Sequence, residues 1–408
     1  MLNILEYFLE KYSILKYRLI ELLFRKVISK NENPFFRILY FILLLFLDDD
    51  KYNVGSLVSK PTFFSWIVAS ATNKKNVNNL GNPYSNKLKN HDYIKKIEKE
   101  IIEWNKEIIN YNKDDIEGYV SSGGSESNMF LMWMGREYLY KKYKQNPTLI
   151  ISNYSHYSLA KAGRILDLQT VELKVSETSY SLDSNVLKSF VSTMIKKGQK
   201  TFLIPLTVGY SSTGTSDSIH KITSVLSRLK KDNTDIEFFV WVDASAQGLV
   251  KSFLDRNYNP MSSELVCGYV VDFHKFGQTQ LPAGVLLYKK EFRKYIETSI
   301  DYLSELDATL LGSRSGSSLV SIWTNIIMID RKKWYDKFNA LNLKKIKFIK
   351  RLKKIKKGVK IIDEKGSLTI AIKIDENFHS LKETTEDKFG LVRCNIDGMI
   401  HYKLHFFK

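Results

Sequence analysis

The chain has 408 residues, of which 44% are hydrophobic and 13% aromatic, with seven prolines and no repeated or Gly/Ser-rich tract. That length supports one large buried core with smaller appendages and excludes a disordered chain or a solenoid. The formal net charge of +18 comes from 62 Lys+Arg against 44 Asp+Glu, but lysine is spread along the whole chain, so it reads as solvated surface and no nucleic-acid partner is expected.

Two cysteines, Cys267 and Cys394, exclude a disulfide framework and lack the spacing of a metal or redox pair, which points to a reducing, cytoplasmic setting. Residues 1–50 form a first segment. Its most apolar part, FFRILYFILLLFL at 35–47, is interrupted by Arg37 and stops at Asp48–Asp50, short of the roughly 20 apolar residues a spanning helix needs. The amphipathic pattern before it has no small-residue cleavage site, so it does not read as a signal peptide. Helices that pack on the body or on a second subunit are expected here, with a membrane-surface anchor as the less favoured reading.

From about residue 91 the pattern changes. HDYIKKIEKEIIEWNKEIINY has helical spacing, and EGYVSSGGSESNMFLMWMGREYLYKKY is a Gly/Ser turn running into a second helix. Short apolar runs then alternate with helical patterns: TLIISN, TVELKV, TFLIPLTV, IEFFVWVDA, CGYVVDF and GVLLYKK. This alternation predicts an α/β domain over 51–325, with a mostly parallel sheet covered by helices on both faces. Ligands in such sheets sit at the carboxyl ends of the strands. After the helical stretch that begins GSSLVSIW, the runs SLTIAIKI and MIHYKLHFF predict a small C-terminal α+β domain over 326–408. The lysine-rich KKIKFIKRLKKIKKGVK at 344–360 reads as an amphipathic helix on a core.

Three features fall where a site belongs: the SSGGSESN turn, the aspartate ending WVDAS, and the His-Lys pair in DFHKF. Singly, a helix cap, a turn carboxylate and a solvated lysine explain them. Together with the histidine of NYSHYS, and in this order, they make up what a pyridoxal phosphate site requires: donors for a phosphate, a flat partner for the ring, a carboxylate for the pyridinium nitrogen and an amine for the aldehyde. Lys275 is then the Schiff-base lysine, with His274 placed to touch the phosphate or relay protons.

At these residues the sequence resembles the group II pyridoxal-phosphate-dependent amino-acid decarboxylases, in their histidine and serine decarboxylase-like branch. The likeness covers roughly residues 50–330 through GYVSSGGSESNMFLMWMGRE, SHYSLAKAGRIL, WVDASAQGLVKSF, DFHKFGQTQLPAGVLLYKK and DYLSELDATLLGSRSGSSLVSIW. It implies the fold type I of pyridoxal-phosphate-dependent transferases, the aspartate aminotransferase-like fold, with pyridoxal 5′-phosphate as cofactor and no metal. It also implies decarboxylation of an L-amino acid, histidine- or serine-like as first choice, to an amine and carbon dioxide.

Carried over by position, the resemblance implies that Gly124 and Ser125 lie on the phosphate turn, His156 stacks on the ring, Asp243 pairs with the ring nitrogen and Lys275 holds the cofactor. Ser211 and His274 join the cofactor-binding set. Ser313 matches a position that serves the phosphate of the neighbouring subunit, which implies a homodimer with shared sites. Tyr302 matches a position near the active-site loop, where a tyrosine can protonate the substrate carbon after decarboxylation; core packing is the alternative. Arg314 reads as a structural ion-pair residue.

Departures from the branch are Asp272-Phe273 before the His-Lys pair, Tyr210 where a threonine is usual, and Ser245-Ala246 after the aspartate. They leave a second reading, a cofactor-binding relative with an altered reaction, for instance an aldehyde-forming one, or with catalysis lost to a binding role.

Overall fold

The computed structural model describes residues 58–84, 92–301, 305–355, 360–373, 392–396 and 399–405. The N-terminal segment 1–50 and Tyr302 lie outside the described residues. The elements begin with α1 (Phe63–Lys74), β1 (Asn78–Leu80), α2 (Asp92–Ile108), β2 (Ile116–Ser121), α3 (Gly124–Tyr143), β3 (Thr148–Ser152), α4 (Tyr157–Ile165) and β4 (Thr170–Leu173). They continue with α5 (Ser184–Lys196), β5 (Thr201–Thr207), α6 (Ile219–Asp232), β6 (Glu237–Asp243), α7 (Gly248–Leu254), β7 (Val266–Asp272), α8 (Phe273–Phe276) and β8 (Gly284–Lys289). After β9 (Thr298–Ile300), β10 (Glu305–Asp307) and β11 (Ser313–Ser315) come α9 (Gly316–Met328), α10 (Arg331–Ile355) and the strands β12 (Ile361–Asp363), β13 (Thr369–Lys373), β14 (Val392–Ile396) and β15 (Met399–His405).

Seven strands form the main sheet in the order β2-β8-β7-β6-β5-β3-β4. β8 runs antiparallel to both its neighbours, and the remaining pairings are parallel. Every residue of β5, β6, β7 and β8 is buried, as expected of strands covered on both faces. Alternate side chains feed two cores. Phe238, Val240 and Val242 of β6 join one with α5, α6 and α7, while Phe239 and Trp241 join the other against Phe130, Leu131 and Met134 of α3. Pro205 sits inside β5 with no N–H to give, and the ladder from β3 stops at Leu203, two residues before it.

The expected C-terminal strands are present as β13 and β15, and they share a four-stranded antiparallel sheet, β12-β13-β15-β14, with two strands the hydrophobic pattern did not reveal. The Gln247 side chain joins this sheet to the main one, accepting from the Leu368 N–H at 3.1 Å and donating to Thr369 Oγ1 at 2.9 Å. The helix that carries the lysine-rich stretch reaches the core through Trp334, Phe338 and Leu341, which precede that stretch, while Ile346 within it is exposed. Lys345 of the same helix is buried, donating to Asp363 Oδ1 at 2.6 Å and to the Ser367 carbonyl at 2.7 Å.

Beneath the Gly/Ser turn lies a buried ion pair between Arg314 of β11 and Glu98 of α2. The guanidinium also donates to the carbonyls of Val120, at 2.8 Å, and Gly81, and covers the Tyr119 ring with its carbon 4.8 Å from the centroid. Glu98 Oε1 in turn accepts the Val120 N–H at 2.7 Å. Arg314 is thus structural, as the sequence suggests: it locks α2, β2 and β11 into one block. Breaking one half of a buried pair strands the other charge, so Arg314→Met is expected to cost about 3–5 kcal/mol in a urea titration. Arg314→Met combined with Glu98→Leu is expected to cost distinctly less, because neither charge is then left unpaired.

Candidate active site

Five strands end at one edge of the main sheet, and each delivers one part of the site. β2 leads through Ser122 and Gly123 into the N-terminus of α3. β3 leads to His156, the N-cap of α4. β5 ends at Thr207 and opens the loop that carries Tyr210 and Ser211. β6 ends at Asp243, and β7 ends at Asp272 and passes without a break into the single turn of α8 that holds His274 and Lys275. The result is a cavity of about 250 Å³ lined by Gly124, Ser125, His156, Ser211, Asp243, His274 and Lys275, together with Asn128, Tyr210, Ser245 and Asp272.

The turn before α3 is built for close approach. Gly123 has φ +107°, open to glycine and strained for other residues, and a Cβ on it would stand 3.2 Å from His274 Cε1. A Cβ on Gly124 would overlap the Ser245 hydroxyl. The first N–H groups of α3 have no partner within their own helix and meet the cavity with the positive end of its dipole. Glu126 braces the turn, accepting from the Ser122 N–H at 2.6 Å and from the Tyr119 hydroxyl at 3.1 Å.

Asp243 is buried and its carboxylate is held from two sides. Oδ1 accepts from the Ser245 hydroxyl at 2.6 Å and the Ser245 N–H at 3.2 Å, and Oδ2 accepts from Asn128 Nδ2 at 3.0 Å. Trp241 Nε1 donates to Asn128 Oδ1 at 2.8 Å, which fixes the orientation of that amide. Lys275 Nζ lies 3.0 Å from Asp272 Oδ2. Asp272 Oδ1 is buried and accepts no hydrogen bond from the described residues. His274 Nδ1 is 2.9 Å from the Ala283 carbonyl, and its Nε2 is 3.7 Å from Asp272 Oδ2. His156 Nδ1 and the Ser158 hydroxyl are 2.7 Å apart, which sets the plane of the imidazole at the cavity wall.

The turn after Lys275 is clamped from distant parts of the chain. Gln278 has φ +53°, and its carbonyl accepts from the Thr62 N–H at 3.0 Å and from Asn325 Nδ2 at 2.7 Å. Its own N–H donates to the Ser59 hydroxyl at 3.0 Å, while the Ser59 N–H donates to the His274 carbonyl at 2.9 Å.

Tyr210 is among the residues that line the cavity, and its hydroxyl turns into the protein and donates to both oxygens of Asp217, at 2.8 and 3.0 Å. Asp217 also accepts the N–H groups of Leu182 and Thr207 at 2.8 and 2.7 Å.

The structure thus gathers Gly124, Ser125, His156, Ser211, Asp243, His274 and Lys275 in one place. Ser313 lies elsewhere, exposed on β11 at a separate cavity with Asn78, whose Nδ2 donates to it at 3.0 Å. Two contributors had no role assigned from sequence. Asn128 stands four residues after Gly124, one helical turn on, and that spacing was the available signal for its facing the same way. Asp272 was read as a tolerated departure, whereas it pairs with Lys275.

The parts fit pyridoxal phosphate: a two-glycine cradle at a helix N-terminus, a buried carboxylate on the cavity wall and an amine in reach of the same space. Residues 54–315 match the family model described as the pyridoxal-dependent decarboxylase conserved domain. The histidine decarboxylase of Vibrio anguillarum is 27% identical, over 73% of this chain and 74% of its own length. The tryptophan decarboxylase of Clostridium sporogenes is 27% identical over 60% of this chain and 59% of its own, and serine decarboxylase 2 of rice, Oryza sativa subsp. japonica, 25% over 60% and 50%. The chain therefore spans between half and three quarters of the length of these relatives. Among solved structures, the L-methionine decarboxylase of Streptomyces sp. 590 shares the fold at TM-score 0.79 with 16% identity, over 92% of both chains.

Burial pushes the Asp217 carboxyl up to about 6, against the pull of its donors. A carboxyl raised in the folded state binds protons more tightly there than in the unfolded chain, so its contribution to stability falls as pH rises from about 4 through 6. The Tyr210 hydroxyl supports the ionised form. Tyr210→Phe is therefore expected to destabilise the protein by about 2 kcal/mol at pH 8 and by less at pH 5, read as the difference in urea midpoints at the two pH values.

Proposed function

Residues 54–315 make this chain a member of the pyridoxal-dependent decarboxylase family, and on that premise we propose that it decarboxylates an L-amino acid at the cavity around Lys275. The observation that carries the reading is the convergence of Lys275, Asp243 and the Gly123–Gly124 turn on one cavity. A histidine- or serine-like substrate is the first choice, supported by the histidine and serine decarboxylases among the relatives.

Each residue has a task in this reading. The N–H groups of Gly124 and Ser125 hold the phosphate, with the α3 dipole favouring its charge. His156 supplies a flat face for the ring, and Asp243 holds a proton at the ring nitrogen. When bound, the cofactor supplies an electron sink for the pair left on the substrate's α-carbon as carbon dioxide departs. Lys275 would hold the cofactor, and its amine is placed to carry a proton within the cavity. Asp272, 3.0 Å from Lys275 Nζ, holds the end of that side chain in place. Tyr302 is assigned the return of the proton that replaces the carboxylate, on its match to the family position alone.

Ser313 is assigned to the phosphate of a neighbouring subunit, which makes the working form a homodimer. Its exposure on β11, away from the Lys275 cavity of its own chain, supports this. A reducing compartment such as the cytoplasm suits the buried, unpaired Cys267, whose thiol is pushed by burial up to about 12.

With pyridoxal phosphate added, borohydride is expected to fix the cofactor covalently on the wild-type chain and not on Lys275→Ala. Among a panel of L-amino acids, one should release carbon dioxide and the matching amine, with the rate falling about 10²–10⁴-fold in Lys275→Ala, the scale of a positioned proton-transfer group. Aldehyde in place of amine would mark an altered reaction; no fixation in the wild type would remove the reading. Ser313→Ala is expected to speed cofactor loss about tenfold, the scale of one hydrogen bond to a charged group, with the dimer mass unchanged by light scattering.

A further inference from the structure

The Asp243 carboxylate carries more donors than orientation alone requires. Asn128 already fixes one oxygen, and its own amide is locked by Trp241. Ser245 then adds both its N–H and its hydroxyl to the other oxygen, the hydroxyl at 2.6 Å. An O–H donor at that distance from a carboxylate is a charge-assisted bond of the stronger kind. Each such bond draws on the carboxylate's negative charge and leaves it a weaker acceptor for a further donor.

Ser245 has little freedom to do anything else. It is buried, and a Cβ on Gly124 would overlap its hydroxyl and come within 3.0 Å of its Cβ. The hydroxyl is therefore packed between the phosphate turn and Asp243, with the carboxylate as its acceptor.

Resting on the reading that Asp243 faces the cofactor's ring nitrogen, we propose that Ser245 is a positioning residue that weakens the hold of Asp243 on the ring-nitrogen proton and so sets the strength of the electron sink. The serine withdraws negative charge from the oxygens that would otherwise face the protonated ring. An alanine at 245 leaves the carboxylate a stronger partner for that ring. Cofactor binding then tightens, but only for a ring with a nitrogen to protonate.

That condition supplies the test. Dissociation constants are measured by fluorescence titration for pyridoxal phosphate and for its analogue with carbon in place of the ring nitrogen, on the wild type and on Ser245→Ala. The expected result is a ratio of the two constants, natural cofactor over analogue, that falls about three- to tenfold in Ser245→Ala, the scale of part of one charge-assisted bond. Asn128→Ala removes a donor from the other oxygen and should move the ratio in the same direction, which keeps the test available if Ser245→Ala fails to fold.

A merely structural role for Ser245 shifts both constants together and leaves the ratio unchanged, and that result overturns the proposal. A ratio that rises also overturns it, since the hydroxyl would then be strengthening the pair. Binding of neither compound by the wild type is a different failure: it removes the cofactor reading itself, and this inference with it.

Discussion

Parallel pairing of β5, β6 and β7 is the constraint on which the site depends. Strands that run the same way end at the same edge, and the register sets Thr207 opposite Asp243, with Asp243 opposite Val270, two residues before Asp272. Three polar side chains, from strands separated by helices in the chain, are thereby brought to one end of the sheet, each at the close of a run of buried residues. The two antiparallel pairings of β8 return β2 to the same direction, so the Gly123–Gly124 turn arrives at that edge too. None of these groups could be moved to the opposite edge without reversing a strand.

Packing at this edge leaves little slack. Gly124 is shaped by Ser245, Gly123 by His274 and Gly284 by both Gly123 and Asp272, so the phosphate turn, the Asp243 loop and the Lys275 helix share one set of contacts. The Arg314–Glu98 pair lies behind them, tied through Val120 to the strand that enters the turn. Burying that pair is costly in itself. Its position suggests what it supplies in return: a fixed departure angle for β2 rather than net stability.

Much of this was legible in the sequence, for physical reasons. Strands covered on both faces read as continuous apolar runs, and the polar residue that ends such a run stands out, as Asp243 and His274-Lys275 do. Residues inside helices do not stand out in this way: Asn128 looks like any polar position on α3 until the fold brings Asp243 to it. Ser245 was visible as a departure, but its bond to Asp243 depends on a turn no pattern specifies. Tyr210 was visible as a departure too, while its hydroxyl's partner, Asp217, emerged only from the folded loop. The strands β12 and β14 escaped notice because β12 is three residues long and β14, VRCNI, mixes polar and apolar residues without strict alternation.

The clamp around Gln278 has a consequence for how the protein is made. Its parts come from Ser59 and Thr62, from the turn after Lys275, and from Asn325; the Ser59–His274 bond spans 215 residues and the Thr62–Asn325 bond 263. On the ribosome the amino-terminal part emerges first and can begin to fold, but this clamp cannot close until residue 325 has left the exit tunnel. The turn after Lys275 is thus held in final form only after residue 325 has been synthesised, so a truncated product ending before α9 would contain every strand of the main sheet and still lack the Asn325 part of the clamp.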